Sequence, residues 1–428
     1  MNFLKHKLSQ DIVWSMGSLG VLAVCGIIIN VLIAGLRDAT VLGVFNQAYA
    51  IYITASQIAV FGLHYSVMRH TALHSGDRTE LDRLLINAAF FALLLGICMA
   101  LTMFSIAPLI GETLESPATT KALAKAAVGL VLFPLNKVLL AFLNGLRHMK
   151  AFAILQSLRY IILTLWIGVI AASNYPFERA MFGFLICELF MFIGVIVYLM
   201  TQGLVPSLEF DSKWTKLHFS FGAKSLLAGM FVELNSRIDV IMIGLFLPDR
   251  SVGIYSFAAM MGDGMYQVLG VLRTTFNPVL VSDLRTGNWI GLQQLLSRAK
   301  KYTFPCAIAL ATGLTIAFWL LGAYIMPMKG LEEGLISLVI LLSSLTLVSG
   351  LVPFDNLMLV SGRPGLQTLQ NLIVVCTNFG LNAALIPLLG IEGAALATAM
   401  SYVVGIATIV FLVHRLLAWN LLTNTAWR

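Results

Sequence analysis

The chain has 428 residues, of which 59% are hydrophobic and only 11% are charged, and its mean hydropathy is +0.90. A soluble domain carries about 25% charged residues, so this composition excludes a soluble globular protein of this size. The formal net charge of +7 does not require a nucleic-acid partner, because Lys and Arg also orient membrane proteins. The apolar runs are long enough to cross a bilayer, which takes roughly 20 residues each. We therefore expect an all-α polytopic membrane protein.

Turn residues and charge clusters interrupt the apolar runs and predict twelve transmembrane spans. The first span follows MNFLKHKLSQD and is too long for the apolar core of a signal peptide, so we expect it to remain in the protein. The connecting segments are short, which leaves no room for an extramembrane catalytic domain and argues against an enzyme. The predicted spans are 13–36, 41–68, 84–110, 122–146, 151–172, 180–200, 223–246, 251–281, 302–327, 335–360, 366–388 and 393–415.

Basic residues are unevenly distributed between the predicted loops. With the N-terminus inside, seventeen of them fall on the cytoplasmic side, including Arg428, and six on the opposite side, including Lys329. This bias predicts that both termini are cytoplasmic. The five cysteines stand singly inside apolar runs and have neither disulfide nor metal-site spacing, so we expect no metal or other cofactor.

An internal repeat divides the chain into two halves. The segments LRDATVLGVFNQA and LPDRSVGIYSFA align Asp38 with Asp249 and Phe45 with Tyr255. A repeat of six spans preserves membrane orientation, so an axis along the membrane normal should relate the halves. The matched segments are 36–48 with 247–258, 81–89 with 292–300, and 142–150 with 359–365. The predicted organisation is an N-terminal lobe of spans one to six (1–200), a cytoplasmic connector (201–222), a C-terminal lobe of spans seven to twelve (223–415) and a cytoplasmic tail (416–428).

The stretch FVELNSRIDVIMIG (231–244) places charged residues in the middle of the predicted seventh span. A charge at the bilayer centre costs about 2.5–3.5 kcal/mol on insertion scales, so these side chains should face protein or water. In a continuous helix, Glu233 and Arg237 share a face and can pair. Asn235 and Asp239 form a second stripe, which is rotated by roughly 200°. One stripe is expected to pack within a lobe and the other to line a cavity; a purely structural buried pair is the alternative.

Other predicted spans also carry polar residues, and these define the candidate site. Glu188 could neutralise Arg159 across a helix contact, which would be a structural role, and Asp355 should lie near the cytoplasmic interface after a Pro-broken helix. Basic groups can hold a phosphate by charge-assisted hydrogen bonds, and acidic groups can bind a cation or exchange protons. The substrate-binding candidates are Arg237, Asn235, Arg273, Lys137, Arg159, Asn30 and Gln370. The ion-coupling candidates are Asp239, Glu233 and Asp263.

Three stretches resemble the polysaccharide (O-antigen type) flippases of the multidrug/oligosaccharidyl-lipid/polysaccharide exporter superfamily. They are RIDVIMIGLFLPDRSVGIYSFAAMM (237–261), its degenerate first-half copy GLRDATVLGVFNQAYAI (35–51), and LNAALIPLLGIEGAALATAMSYVVG (381–405). The resemblance implies a V-shaped two-lobed bundle with a central cavity. It also implies movement of an undecaprenyl-diphosphate-linked oligosaccharide across the bacterial inner membrane. Sugars would occupy the cavity, Arg237 and Arg273 would hold the diphosphate, and membrane lipids would surround the polyprenyl tail. Partners would include a polysaccharide polymerase and other proteins of the biosynthesis complex.

Several other functions compete with this interpretation. The acidic residues within the spans leave open an ion-coupled multidrug extruder of the same superfamily. A major-facilitator carrier also has twelve spans, but HSGDRTELDR (74–83) matches only the Asp-Arg of its usual loop. A membrane glycosyltransferase or polymerase would need longer outer loops, and a structural scaffold would not need charges in so many spans. Transport is the function that the sequence predicts.

Overall fold

A computed structural model describes residues 2–322 and 330–426, and the side chains of all these residues except 2–9, 12, 227–229, 232, 274, 278 and 426. Lys329 and Arg428 of the charge bias, and the end of the predicted ninth span (323–327), lie outside the described residues. The described chain is almost entirely helical. Its α-helices are α1 (Asn2–Leu36), α2 (Ala39–Val60), α3 (Leu63–Leu73), α4 (Arg78–Thr113), α5 (Pro117–Ala126), α6 (Phe133–Gly145), α7 (Met149–Ala172), α8 (Gly183–Thr201), α9 (Ser212–Asn235), α10 (Ile238–Phe246), α11 (Asp249–Thr286), α12 (Trp289–Leu320), α13 (Leu335–Val348), α14 (Leu357–Val360), α15 (Pro364–Leu389) and α16 (Ile391–Leu417).

Short 3₁₀ segments and one small hairpin complete the described structure. The 3₁₀ segments are Ala127–Val131, Phe177–Phe182, Leu331–Gly334 and Val352–Phe354, and the hairpin pairs β1 (Trp419–Asn420) with β2 (Thr425–Ala426). Eight described helices are long and apolar enough to cross a membrane, or ten if each of two bent pairs counts as one span. The predicted class, an all-α polytopic membrane protein, is confirmed.

The two bent pairs lie within predicted spans two and four. α2 and α3 meet at 48° where Phe61 and Gly62 both adopt a left-handed backbone, with φ of 50° and 69°. Residues 117–131 and 133–145 meet at 41°, and Pro134 is the second residue of the latter segment. Proline lacks the amide donor that would continue the preceding helix, so the bend follows from the sequence.

Polar side chains cap the helices where the chain turns. The Asp38 carboxylate accepts a hydrogen bond from the Val41 amide at 2.9 Å and starts α2. Asp249, its partner in the sequence repeat, is the first residue of α11. Carboxylates stabilise these positions because the first amides of a helix have no partner within the helix. Both matched segments of the repeat therefore begin a helix.

The chain divides into two compact units, Met1–Glu233 and Leu234–Arg428. In unit 1, α1 packs against α7, α3 against α6, and α4 against α5 and α6. Arg37 follows α1 and donates to the Ala171 and Ile170 carbonyl oxygens at the end of α7, at 3.0 Å each. Leu84, Val138 and Leu143 are fully buried in its core, which also takes in Trp214 of α9. The start of α9 is thus built into unit 1.

In unit 2, α15 and α16 form the most extensively packed helix pair, and α13 packs on both α11 and α16. Ala394, Ala395 and Ala397 on α16 are fully buried, and Gly393 lies directly against the Leu385 carbonyl. Small residues stabilise membrane helix pairs because they let the backbones approach closely. The hairpin after α16 folds back on this unit, and Trp419 is buried beside Phe354.

Candidate functional site

The charged stretch 231–244 is not a continuous helix. α9 ends at Asn235 and α10 begins at Ile238, with a turn at Ser236 and Arg237 between them. The Arg237 backbone has φ −125° and ψ −12°, and its amide donates to the Leu234 carbonyl at 3.0 Å. The two predicted helical stripes assumed an unbroken helix, and this turn interrupts it. The break instead places Asp239 in the first turn of a new helix.

Asp239 is the centre of a buried network in unit 2. Its Oδ2 accepts hydrogen bonds from the hydroxyls of Thr398 at 2.5 Å and Tyr255 at 3.0 Å, and its Oδ1 accepts one from the Asn382 amide at 3.0 Å. Asn382 Nδ2 also donates to Asn378 Oδ1 at 2.6 Å. All five residues are buried.

The neutral character of these partners sets the chemistry that the network can perform. Within the described chain, the hydrogen bonds to Asp239 come from hydroxyls and an amide, and none comes from Lys or Arg. Asn382 Oδ1 is buried and meets no donor among the described residues. A buried carboxylate is costly unless its charge is balanced. Such a carboxylate can accept a proton, and its oxygens and the neighbouring hydroxyl oxygens are the ligand type that a small hard cation prefers.

A second polar site in unit 2 joins α11 to the segment after α13. Arg273 Nη1 donates to Asp355 Oδ2 at 2.8 Å, and the Tyr266 hydroxyl donates to the same oxygen at 3.2 Å. The Tyr266 ring stacks on Tyr402 with a centroid distance of 5.8 Å. The pair remains partly accessible, since 26% of the Arg273 side chain and 16% of the Asp355 side chain are exposed.

Two other predicted residues of this unit lie close together. Arg237 is within electrostatic reach of the Asp263 carboxylate on α11, and Asp263 is exposed on the protein surface. Asn235 is partly buried at the end of α9. Gln370 is buried and donates to the Gly405 carbonyl at 3.2 Å, which ties α15 to α16.

In unit 1, Arg159 and Glu188 form the predicted ion pair. Arg159 Nη2 lies 2.9 Å from Glu188 Oε2, and the two side chains are only 10% and 2% exposed. Asn136 donates to the same carboxylate oxygen at 2.7 Å and to the Glu188 carbonyl at 2.8 Å. The Arg159 guanidinium also lies over the Phe133 ring, 4.9 Å from its centroid. The prediction that Glu188 neutralises Arg159 is confirmed, and the contacts favour a structural role.

The remaining candidates of unit 1 lie in smaller polar contacts. Lys137 donates to Gln57 at 2.9 Å, and it lies within electrostatic reach of Glu233. Asn30 donates to the Gly26 carbonyl within α1 and accepts a hydrogen bond from Asn46 of α2, both at 2.9 Å. Lys137 is partly exposed, whereas Asn30 is buried.

Sequence reasoning did not place Tyr255, Thr398, Asn378 or Asn382 around Asp239, and it did not join Tyr266 and Asp355 to Arg273. Asn378 and Asn382 are four residues apart, so they share one face of a helix. That spacing was a usable signal for a polar face on α15. The hydroxyl partners gave no comparable signal, because Tyr and Thr are common within spans.

Comparison with solved structures identifies the class of this fold. An inward-facing multidrug resistance MATE family transporter of the MOP superfamily is 15% identical, with a TM-score of 0.76 over 94% of this chain and 96% of that chain. The lipid II flippase MurJ, in an inward closed conformation, is 17% identical, with a TM-score of 0.76 over 94% and 87%. A MOP superfamily transporter from Pyrococcus furiosus is 13% identical, with a TM-score of 0.60 over 95% and 94%. The chain has the fold of MOP superfamily transporters.

The family follows from the sequence match. The family described as polysaccharide biosynthesis protein matches residues 8–282, well over half of the chain, and the chain belongs to this family. No curated protein sequence matches the chain. The predicted membership of a polysaccharide family is confirmed, the fold is that of the predicted superfamily, and the chain is a multi-pass membrane protein.

Proposed function

We propose that this protein is a flippase that moves an undecaprenyl-diphosphate-linked oligosaccharide, such as an O-antigen repeat unit, across the bacterial inner membrane by alternating access. The observation that carries the proposal is membership of a polysaccharide biosynthesis family, combined with a fold that a lipid II flippase also has. In this proposal residues 1–200 and 223–415 act as the two lobes, 201–222 as the connector and 416–428 as a cytoplasmic tail. Both termini are cytoplasmic, and membrane lipids and other proteins of polysaccharide biosynthesis are its partners.

Arg273 is the side chain best suited to the diphosphate. Its guanidinium is partly exposed, and Arg presents a fork of donors that matches phosphate oxygens. Arg237 and Lys137 are secondary candidates; Lys137 lacks the guanidinium fork and already donates to Gln57. Arg159 is less suited, because it is already paired with Glu188 and both side chains are buried.

The amide candidates differ in how available they are to sugars. Asn30 and Gln370 are buried in contacts between helices. Asn235 is only partly buried at the end of α9. In this proposal Asn235 contacts sugar hydroxyls, while Asn30 and Gln370 stabilise the packing of the helices along the substrate's route.

Asp239 is proposed as the ion-coupling residue, ahead of Glu233 and Asp263. Its neutral hydrogen-bond donors let it exchange a proton or a small cation without breaking an ion pair. The same observation supports the second candidate function, an ion-coupled multidrug extruder of the same superfamily. In an extruder, the acidic residues would serve the export of cationic amphiphiles.

Reconstituted vesicles distinguish these two functions. Loss of a fluorescent undecaprenyl-diphosphate oligosaccharide from the outer leaflet measures flipping, and dye efflux under a proton or sodium gradient measures extrusion. Flipping that Arg273→Ala or Arg237→Ala abolishes supports the flippase. Arg250→Ala is the matched control, because it removes an exposed pair with Glu333 in the same unit. Dye efflux without flipping would reject the flippase and favour the extruder.

A further inference from the structure

The Arg273–Asp355 pair is more exposed than the Arg159–Glu188 pair and is held by fewer guanidinium nitrogens than the Arg250–Glu333 pair. Arg159 and Glu188 are 10% and 2% exposed, whereas Arg273 and Asp355 are 26% and 16% exposed. Arg250 donates to Glu333 through two nitrogens, from Nη1 to Oε2 at 3.0 Å and from Nη2 to Oε1 at 2.7 Å. Arg273 binds Asp355 through Nη1 alone. The Arg273 pair is therefore accessible, and it uses only part of the guanidinium fork.

The carboxylate of this pair is also incompletely bonded. Asp355 Oδ2 receives both Arg273 and Tyr266, while Asp355 Oδ1 is buried and accepts no hydrogen bond from the described residues. An ion pair that only stabilises a fold needs good geometry and partners for its remaining lone pairs. This pair lacks them on one oxygen of a partly exposed carboxylate.

Asp355 lies outside the long helices of unit 2. α13 ends at Val348, a 3₁₀ segment covers Val352–Phe354, and the four-residue helix α14 begins only at Leu357. Asp355 thus lies between two short elements rather than inside a long helix. Pro353 removes one backbone donor from this region. Since Phe354 and Leu357 are fully buried, the carboxylate would leave Arg273 by rotation of the Asp355 side chain, without bending α11.

We propose that Asp355 is an internal competitor for the anion that Arg273 binds. In the empty protein its carboxylate occupies the guanidinium, and an arriving diphosphate displaces it, because phosphate oxygens can take the bidentate fork that Asp355 does not use. Tyr266 then supplies a neutral donor to the displaced carboxylate. The inference rests on the proposed flippase function and adds a specificity element to its site: an anion that binds Arg273 less well than a carboxylate is rejected.

The proposal is tested by titrating the purified full chain with inorganic pyrophosphate in a calorimeter. Asp355→Asn keeps the side-chain size and removes the competing charge, so pyrophosphate should bind at least about tenfold more tightly, the factor that corresponds to about 1.4 kcal/mol. Arg273→Gln should abolish this binding, both alone and together with Asp355→Asn. Glu333→Gln, which removes the charge from the exposed Arg250 pair, should leave the affinity unchanged.

The outcomes separate this inference from the function on which it rests. Unchanged or weaker pyrophosphate binding by a folded Asp355→Asn variant overturns the inference, even if the chain flips glycolipid. Tighter binding that depends on Arg273 supports it, even if vesicle assays reject the flippase. Equal tightening by Glu333→Gln would show a general charge effect and would also overturn it. Asp355→Ser replaces Asp355→Asn if the amide variant does not fold, with the same expected result.

Discussion

Removal of one member of the Arg159–Glu188 pair should destabilise unit 1 strongly. At the observed separation of 2.9 Å, the Coulomb attraction is about 6 kcal/mol for an effective dielectric constant of about 20. Desolvation offsets much of this attraction, but a single substitution leaves the other charge buried and costs about 3–5 kcal/mol. Glu188→Gln retains an oxygen for Asn136 and leaves Arg159 uncompensated.

The size of the effect can be read from thermal unfolding of the purified protein. For a folding unit of roughly 150–250 residues, 1 kcal/mol shifts the Tm by about 2–4 °C. Glu188→Gln and Arg159→Gln should therefore each lower the Tm by about 6–20 °C. The double Gln variant removes both charges and can keep a neutral hydrogen bond. Its Tm should lie above that of either single variant.

The same variants test whether Arg159 stabilises the fold or binds substrate. If the pair is structural, the double variant regains flipping together with its Tm. A Tm loss in the double variant equal to the sum of the two single losses would refute the reasoning, because the charges would then act independently. Recovery of the Tm without recovery of flipping would show that Arg159 contributes to substrate binding as well as to stability.

Three further substitutions test the contacts on which the fold and the site depend. Gly222→Ala places a Cβ against the Phe61 carbonyl and should lower the Tm, whereas Gly264→Ala meets open space and should not. Trp214→Phe removes the hydrogen bond that the indole donates to a carboxylate of α4 at 2.9 Å, which should cost about 0.5–1.5 kcal/mol in chemical unfolding. Asp239→Asn should abolish the dependence of transport on sodium or pH with little change in Tm; full retention of that dependence would exclude Asp239 as the coupling residue.

Composition and apolar periodicity were sufficient to predict the fold class, but they did not locate the break between α9 and α10. The junction of α9 and α10 falls at Ser236 and Arg237, where neither Gly nor Pro signals a break. Such a break depends on tertiary contacts, which can supply partners to the freed backbone groups. The predicted tenth span, 335–360, is also interrupted, since α13 stops at Val348, but there Pro353 signals the break.

The Arg159–Glu188 pair and the Asp239 network show which side-chain contacts could be predicted from the sequence and which could not. Arg159 and Glu188 lie on neighbouring helices of a short connection, so opposite charge and proximity in sequence were enough to predict their pairing. Asp239 instead receives Asn382 and Thr398 from α15 and α16, 143 and 159 positions further along the chain. Sequence shows that these residues are polar, but only the packing of α10 against both helices determines that they meet.

The partners of the buried carboxylates distinguish their roles. Glu188 is enclosed with Arg159 and Asn136, so any change in its charge would leave an uncompensated cation in unit 1. Asp355 is paired with Arg273 and, in our proposal, competes with the arriving anion for it. Protonation or displacement of Asp355 would free the guanidinium for a diphosphate. Asp239 receives only neutral donors among the described residues, so its charge can change without stranding a basic side chain. On this reasoning, substitution of Asp239 changes the sodium or proton dependence of transport, and substitution of Asp355 changes the affinity for the anion.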